Sequence, residues 1–533
     1  MELQFIGADH EVTGSCHYLR YGDKHILVDC GMEQGADLYV NQEIPVESAR
    51  IDYVFITHAH IDHSGLLPLL YNHGFRGEVF CTKATEELCQ IMLKDSAHIQ
   101  EFEAEWRNRK NRRAGKPEIT PMYSLEDAAG VMEHFCTVDY DSKVEICEGL
   151  KVRFEDAGHL LGSASIEMWV TEGEETRKLI FSGDIGNVNR PLIKNPTYLK
   201  EADYVIMEST YGDRNHDAPV DYAVELAKVM NATFTRGGNL VIPAFSVGRT
   251  QEMLYFMRRI KTEGLLPEYP NFDVYIDSPL AVEATNVFHK NVSECFDEEA
   301  RELINQGINP IQFPGLHVAV SSDESKNINF INKPKVIISA SGMCEAGRIR
   351  HHLKHNLWRS DSTILFVGFQ CPGTLGHALL GGVKSVKLFG EEVEVKAMIC
   401  NLPGVSGHAD KEHLTEWLKA ITPAPQKVFV VHGDDATVDG FVQHLKDTLG
   451  VDAYGPYSGD TFDLITGKQT AKGDREKVQK KQYQTSAKNS VYDRLVAAGQ
   501  RILVVIKKCQ GMANKDLAKF ADQINALCDK WER

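Results

Sequence analysis

Short apolar runs that end in polar loops dominate the first part of the chain. HILVDCG, DYVFITHAH, EVFCT, LKVRFEDAGH, KLIFSGDIG and DYVIMEST all read as β-strands. Helical periodicity separates some of them, as in SGLLPLLYNHG. From about Ala218 to Leu266 the pattern changes to helix, strand (NLVIPAF), tight loop (SVG) and helix (RTQEMLYFMRRI). DVYID, VIISAS, a helical AGRIRHHLKHNLW and TILFVGF continue this alternation, which predicts a parallel sheet. Strands return with EVEVKAMICNL and KVFVVHG and close near Ile465. From about Gly467 to Asn489 the chain is polar and rich in Lys and Gln, which reads as a linker. Leu517, Phe520, Ile524, Leu527 and Trp531 then recur at steps of three and four, an amphipathic helix. SVYDRLVAAGQRILVVIKK before it fits a helix, although VVI fits a strand equally well. A tail packed on the protein's own body is the ordinary reading of this extension. Self-association to a homodimer is the sharper one.

A length of 533 residues predicts two or more domains. Hydrophobic residues make up 43% and charged residues 25%, as in soluble globular proteins. The opening MELQFIGADH has no basic segment followed by an apolar core, so no secretory signal is expected. No apolar run approaches the ~20 residues of a bilayer span, so no membrane partner is expected either. Twelve cysteines, from Cys16 to Cys528, form no CxxC pair and read as reduced thiols of a cytoplasmic protein. The net charge of −17 argues against a nucleic-acid partner. That objection is modest, because a cleft holding divalent metals is locally positive on an acidic protein.

The strongest chemical signal is THAHIDHSG, which places His58, His60, Asp62 and His63 directly after an apolar strand. Imidazole and carboxylate are zinc-binding groups, and nothing in turn chemistry favours three histidines and an aspartate at a strand end. Four such groups within six residues do not easily serve one metal, so a loop feeding two neighbouring metals fits better. His159, Asp184 and His432 each repeat the pattern of an apolar strand followed by a lone ligand-type residue. Singly, each reads as a surface or capping residue; with the first cluster they complete a two-metal site. Asp29 in LVDCG also ends a strand and reads as a group that orients a histidine.

HAHIDH, together with LVDCG, AGHLLGS and FSGDIG, resembles the motif series of the metallo-β-lactamase superfamily. The resemblance implies an α/β fold, an αββα sandwich with two Zn2+ ions per chain at one edge. His58, His60 and His159 would hold one zinc, and Asp62, His63 and His432 the other, with Asp184 bridging. Ala59 stands where di-iron relatives usually carry a glutamate ligand, which favours zinc. Three later segments resemble the β-CASP branch, whose members act on RNA or DNA: IMESTYGDR with Glu208, VSGHAD with His408 and FVVHGD with His432. The resemblance covers roughly Met1 to Leu464 and is nearest to the bacterial and archaeal relatives of the cleavage-and-polyadenylation endonuclease. It implies a lactamase domain in two parts, 1–207 and 400–465, around a β-CASP domain at 208–399, with 466–533 as a linker and helical extension. DNA-repair members usually carry valine at the third motif, so His432 favours RNA.

Two strand-to-helix turns of the inserted part are candidates for phosphate binding. Ser246 is placed to cap a helix that begins near Arg249, and Gly342 and Gly347 flank the start of another. Arg249 and Arg348 could add charge-assisted bonds, and Ser341 lies in the second turn. Ordinary helix capping explains the same residues; the resemblance raises the RNA-binding reading. The basic run WRNRKNRRAGK, Trp106 to Lys116, reads as a solvated helix face or an RNA guide. The implied reaction is hydrolysis of RNA phosphodiesters by hydroxide generated at the metals, with Asp62 in the catalytic motif. His408 would be the acid for the leaving group, oriented by Glu208. A thioester or lactone hydrolase and a non-catalytic RNA-binding subunit are the competing classes.

Overall fold

Alternation of period two sorts the first strands onto two faces. In the strands Cys16–Tyr21 and Lys24–Val28, Leu19, Tyr21, Ile26 and Val28 belong to one core and Cys16, Tyr18 and Leu27 to another. The computed structural model describes residues 1–34, 39, 41–217, 220–370, 373–402, 406–473, 475, 477 and 491–531. It pairs these strands into an eight-stranded sheet, which packs face to face on a second sheet of seven. The strands Leu150–Asp156, Ala164–Glu172, Tyr204–Glu208 and Lys427–Val431 line the second inner face with Val152, Phe154, Ile166, Met168, Ile206 and Phe429. Phe429 ties the two layers, its ring 4.8 Å from that of Phe5 and 4.7 Å from that of Phe462. Helices Leu67–Asn72, Lys83–Ala114 and Leu125–Met132 cover one outer face, and Lys411–Lys419 and Asp435–Leu449 the other. This is the αββα sandwich expected from the motif series.

The third sheet has six strands, all parallel, built from segments between Leu240 and Asn401. It is the inserted α/β unit that the alternation predicted. EVEVKAMICNL is not one strand, however. Glu391–Glu394 forms a hairpin with Ser385–Leu388, whereas Met398–Asn401 joins the third sheet beside Thr363–Phe366. Between them the backbone N–H groups of Lys396 and Ala397 both donate to Leu357 O and draw the chain out of the hairpin. The sandwich also continues past Ile465, because Lys468–Ala471 pairs with Thr461–Asp463 at the sheet edge. An edge strand tolerates this lysine- and glutamine-bearing sequence, since one side faces water.

WRNRKNRRAGK caps the 32-residue helix Lys83–Ala114, where Arg107, Arg109 and Arg112 pair with Glu103, Glu105 and Glu118. That pairing spends much of its positive charge locally. SVYDRLVAAGQRILVVIKK contains one helix, Val491–Lys508, followed by Asn514–Trp531. The second helix fully buries none of its side chains: Leu517, Phe520 and Ile524 of the predicted stripe are half-buried, and Leu527 and Trp531 are exposed, Trp531 by 70%. Most of the predicted linker lies outside the described residues. Among the described residues the cysteines are free thiols, and no helix is long and apolar enough to cross a membrane.

The second terminal helix therefore contributes little to the core, whereas the first rests on the body of the chain near Gly74 and buries Ala497 there. A chain ending at Gly473 should melt within about 3 °C of the full chain, the shift that about 1 kcal/mol produces. Ending at Leu464 removes the edge strand and should lower the melting temperature further. Scanning calorimetry of both checks this, and an equal fall in both would contradict it.

Candidate metal centre and its acid–base partner

Strand ends converge to make the site. Glu175–Phe181, Tyr204–Glu208 and Lys427–Val431 run parallel, so all three leave the sheet at the same edge. The chain turns sharply there: Asp29, Gly183 and His432 have φ of +59°, +56° and +52°. Such values suit glycine but are uncommon for histidine. His432 is held in place by its N–H, which donates to Ala8 O at 2.7 Å across the sandwich.

Two groups of ligand-type atoms result. His58 Nε2 and His159 Nε2 lie 3.0 and 3.2 Å from His60 Nδ1, and 3.5 and 3.4 Å from Asp184 Oδ2. His63 Nε2 and His432 Nε2 lie 3.3 Å apart, and 3.3 and 3.5 Å from Asp184 Oδ1, with Asp62 Oδ2 3.7 Å from His432 Nε2. Each oxygen of Asp184 thus faces a different group. A tetrahedral ion with bonds of about 2.0–2.1 Å separates its donors by about 3.3 Å, close to these spacings. Asp184 Oδ1 is buried and makes no hydrogen bond, as expected of an oxygen whose natural partner is a cation. The donor set therefore fits two zinc ions.

The outer nitrogens of His58, His63, His159 and His432 are already committed. His63 Nδ1–H donates to Asp29 Oδ2 at 2.7 Å, and His159 Nδ1–H to Gly407 O at 3.2 Å. Thr57 Oγ1 accepts from His58 Nδ1 at 3.2 Å, and Thr210 Oγ1 from His432 Nδ1 at 3.0 Å. These bonds fix the tautomer and turn each Nε2 lone pair inward. Burial lowers the pKa of His58, His60 and His159, which keeps their lone pairs free. Burial also opposes charge on His63, but Asp184 and Asp29 outweigh it and raise its pKa. Asp184 shows the converse: burial would raise its pKa, yet the surrounding histidines hold it well below the usual carboxylate range.

His408 stands at the rim, its side chain 21% exposed. Its Nδ1 donates to the buried Glu208 carboxylate at 3.1 and 3.2 Å and lies 3.9 Å from Asp184. Burial pulls its pKa down, but Glu208 and Asp184 dominate and push it up to about 9. Glu208 is positioned by the N–H groups of Ile185 and Thr210 at 2.5 and 3.3 Å.

The structure brings together His58, His60, Asp62, His63, His159, Asp184 and His432, with Glu208 and His408 beside them. The phosphate-binding candidates fare differently. Gly248, not Ser246, caps the helix Arg249–Thr262, because Ser246 Oγ pairs with Ser278 Oγ at 3.1 Å. Arg249 pairs with Glu252, and Arg348 donates to Asp277, Ala319 O and Val320 O. Ser341 and Gly342 sit in the loop after the strand Lys335–Ser339. Sequence reasoning missed Arg190, which donates to His159 O at 2.7 Å and Gly407 O at 3.0 Å and pairs with Glu252 of the inserted unit at 2.6 Å. A lone arginine in a loop carries no pattern that would single it out.

Replacing Asp29 by Ala should weaken zinc binding about 10- to 100-fold, since it frees the His63 ring. Replacing His63 or His432 should remove an ion outright. Elemental analysis and competition with a chelator measure both effects, and full, tight occupancy in all three variants would refute the ligand geometry.

Comparison with known proteins identifies the family. Residues 11–90 match the metallo-β-lactamase superfamily, residues 250–379 the β-CASP domain, and residues 392–456 the Zn-dependent metallo-hydrolase RNA specificity domain. The chain is 35% identical to ribonuclease TTHA0252 of Thermus thermophilus over 82% of its own length and 94% of that protein's. It is 33% identical to the transcription termination factor FttA of Methanosarcina mazei, over 81% of this chain and 67% of that one. With the FttA of Methanocaldococcus jannaschii it shares 30% identity over 87% and 71%. The chain belongs to the β-CASP family of the metallo-β-lactamase superfamily and is a hydrolase.

Proposed function

We propose that this hydrolase is a two-zinc ribonuclease that cleaves RNA phosphodiester bonds in RNA processing or decay. The split of Asp184, one oxygen toward each histidine group, supports this most directly. A pair of cations held by one carboxylate suits in-line displacement at phosphorus. The names of the relatives and the match to an RNA specificity domain support RNA as the substrate.

His58, His60 and His159 would hold one ion, Asp62, His63 and His432 the other, and Asp184 both. Bound zinc supplies a water acidic enough to attack near neutral pH and positive charge for the phosphoryl oxygens. Asp29, Thr57 and Thr210 keep the ligands oriented through the bonds described above. His408 delivers a proton to the departing ribose oxygen, with its Nδ1 anchored on Glu208. Glu208 also favours the imidazolium form by charge. Arg190 fastens the backbones that carry His159 and His408 to the inserted β-CASP unit.

A ribose alkoxide is a poor leaving group and a nitrophenolate a good one. His408→Ala should therefore lose about 10²–10⁴ in rate on RNA and far less on a bis-nitrophenyl phosphodiester. Turnover of both substrates, with metal content measured on the same samples, is the test. Equal losses, or missing metal, would show that His408 is not the acid. Turnover of thioesters with no cleavage of RNA by the wild type would overturn the whole reading.

A further inference from the structure

Two phenylalanines at the mouth of the inserted sheet have no role so far. Phe245 follows the strand Leu240–Pro243, and Phe369 follows Thr363–Phe366. These strands are parallel neighbours, so both rings leave the sheet at its C-terminal edge, where open α/β sheets bind ligands. Phe245 is 46% exposed and Phe369 56%.

The first ring is not a loose surface residue. Its backbone oxygen accepts from Thr250 Oγ1 at 2.7 Å. Gly342 lies flat against it: a Cβ at that position would stand 3.1 Å from the ring. Gly342 O in turn accepts from Gln370 Nε2 at 3.1 Å, which ties the loop of Phe369 to the same place. The loop also reaches the metal centre. Three residues after Phe245, a Cβ on Gly248 would lie 3.1 Å from Leu160 Cδ1, and Leu160 follows the ligand His159.

An apolar ring backed by glycine on one side and open on the other, one loop from a phosphodiester-cleaving centre, is a surface for an unpaired base. We propose that Phe245 and Phe369 are stacking platforms for nucleobases flanking the scissile phosphate. The inference rests on the ribonuclease reading. Stacking needs only a π-face, so it works with every base and gives little sequence preference. Bases inside a duplex are already stacked on both sides and cannot use it.

The test is kcat/KM of the zinc-loaded enzyme on a short single-stranded RNA, intact or with an abasic nucleotide at successive positions around the cut. Phe245→Ala and Phe369→Ala should each lose about 10-fold or more on intact RNA. Tryptophan at either position should restore activity, and leucine should not. Wild type should lose a similar factor on the abasic RNA that removes the stacked base, and the matching alanine variant should lose nothing further there. Full activity of both alanine variants on intact RNA would overturn the proposal. So would equal losses on intact and abasic RNA, which would mark the rings as structural. If the wild type cleaves no RNA, the ribonuclease reading fails first and the proposal falls with it.

Discussion

Everything in this structure depends on holding five imidazole nitrogens and two carboxylates with their lone pairs aimed at two neighbouring points. Such an arrangement is self-repelling in a buried, low-dielectric setting unless cations occupy the points. The fold supplies restraint from outside. Asp29, Thr57, Thr210 and Gly407 O each grip a ring from behind. Behind them, the strands are locked by apolar cores on both faces. Site and core are therefore one design: strand register decides which loop each ligand enters, and burial makes the loops stiff enough to hold them.

The same edge of the sandwich serves a second purpose. Glu208 ends one strand and His408 sits in the loop that re-enters the sandwich from the insertion, paired antiparallel with Gly186 beside Asp184. His408 is therefore brought to the site by the segment that returns from the inserted unit. Arg190 is the fastener, bonded to the backbones that carry His159 and His408 and to Glu252 across the junction. A buried charge held in this way is costly to leave half-paired, which ties the geometry of the site to the seating of the second domain.

Much of this was legible in the sequence because the chemistry follows a simple local pattern. An apolar strand followed by a ligand residue, as at His58, Asp184 and His432, is visible without knowing the tertiary fold. The parallel insertion followed from α/β alternation, and the αββα sandwich from the resemblance of the motif series. What escaped is non-local. Arg190 acts through backbone oxygens contributed by distant segments, and Ser246 lost its predicted capping role to a hydroxyl from Ser278. EVEVKAMICNL looked continuous because β-propensity does not report that Leu357 O would intercept two of its N–H groups. The terminal helices were readable as helices, but periodicity does not say whether an apolar stripe finds a partner.

Under the proposed function, two ions held by Asp184 would both be needed for phosphodiester cleavage. Metal-depleted protein titrated with zinc, with RNA hydrolysis followed at each step, tests it most directly. Activity should appear mainly with the second equivalent per chain. Full activity at one equivalent, with no further gain from the second, would contradict it.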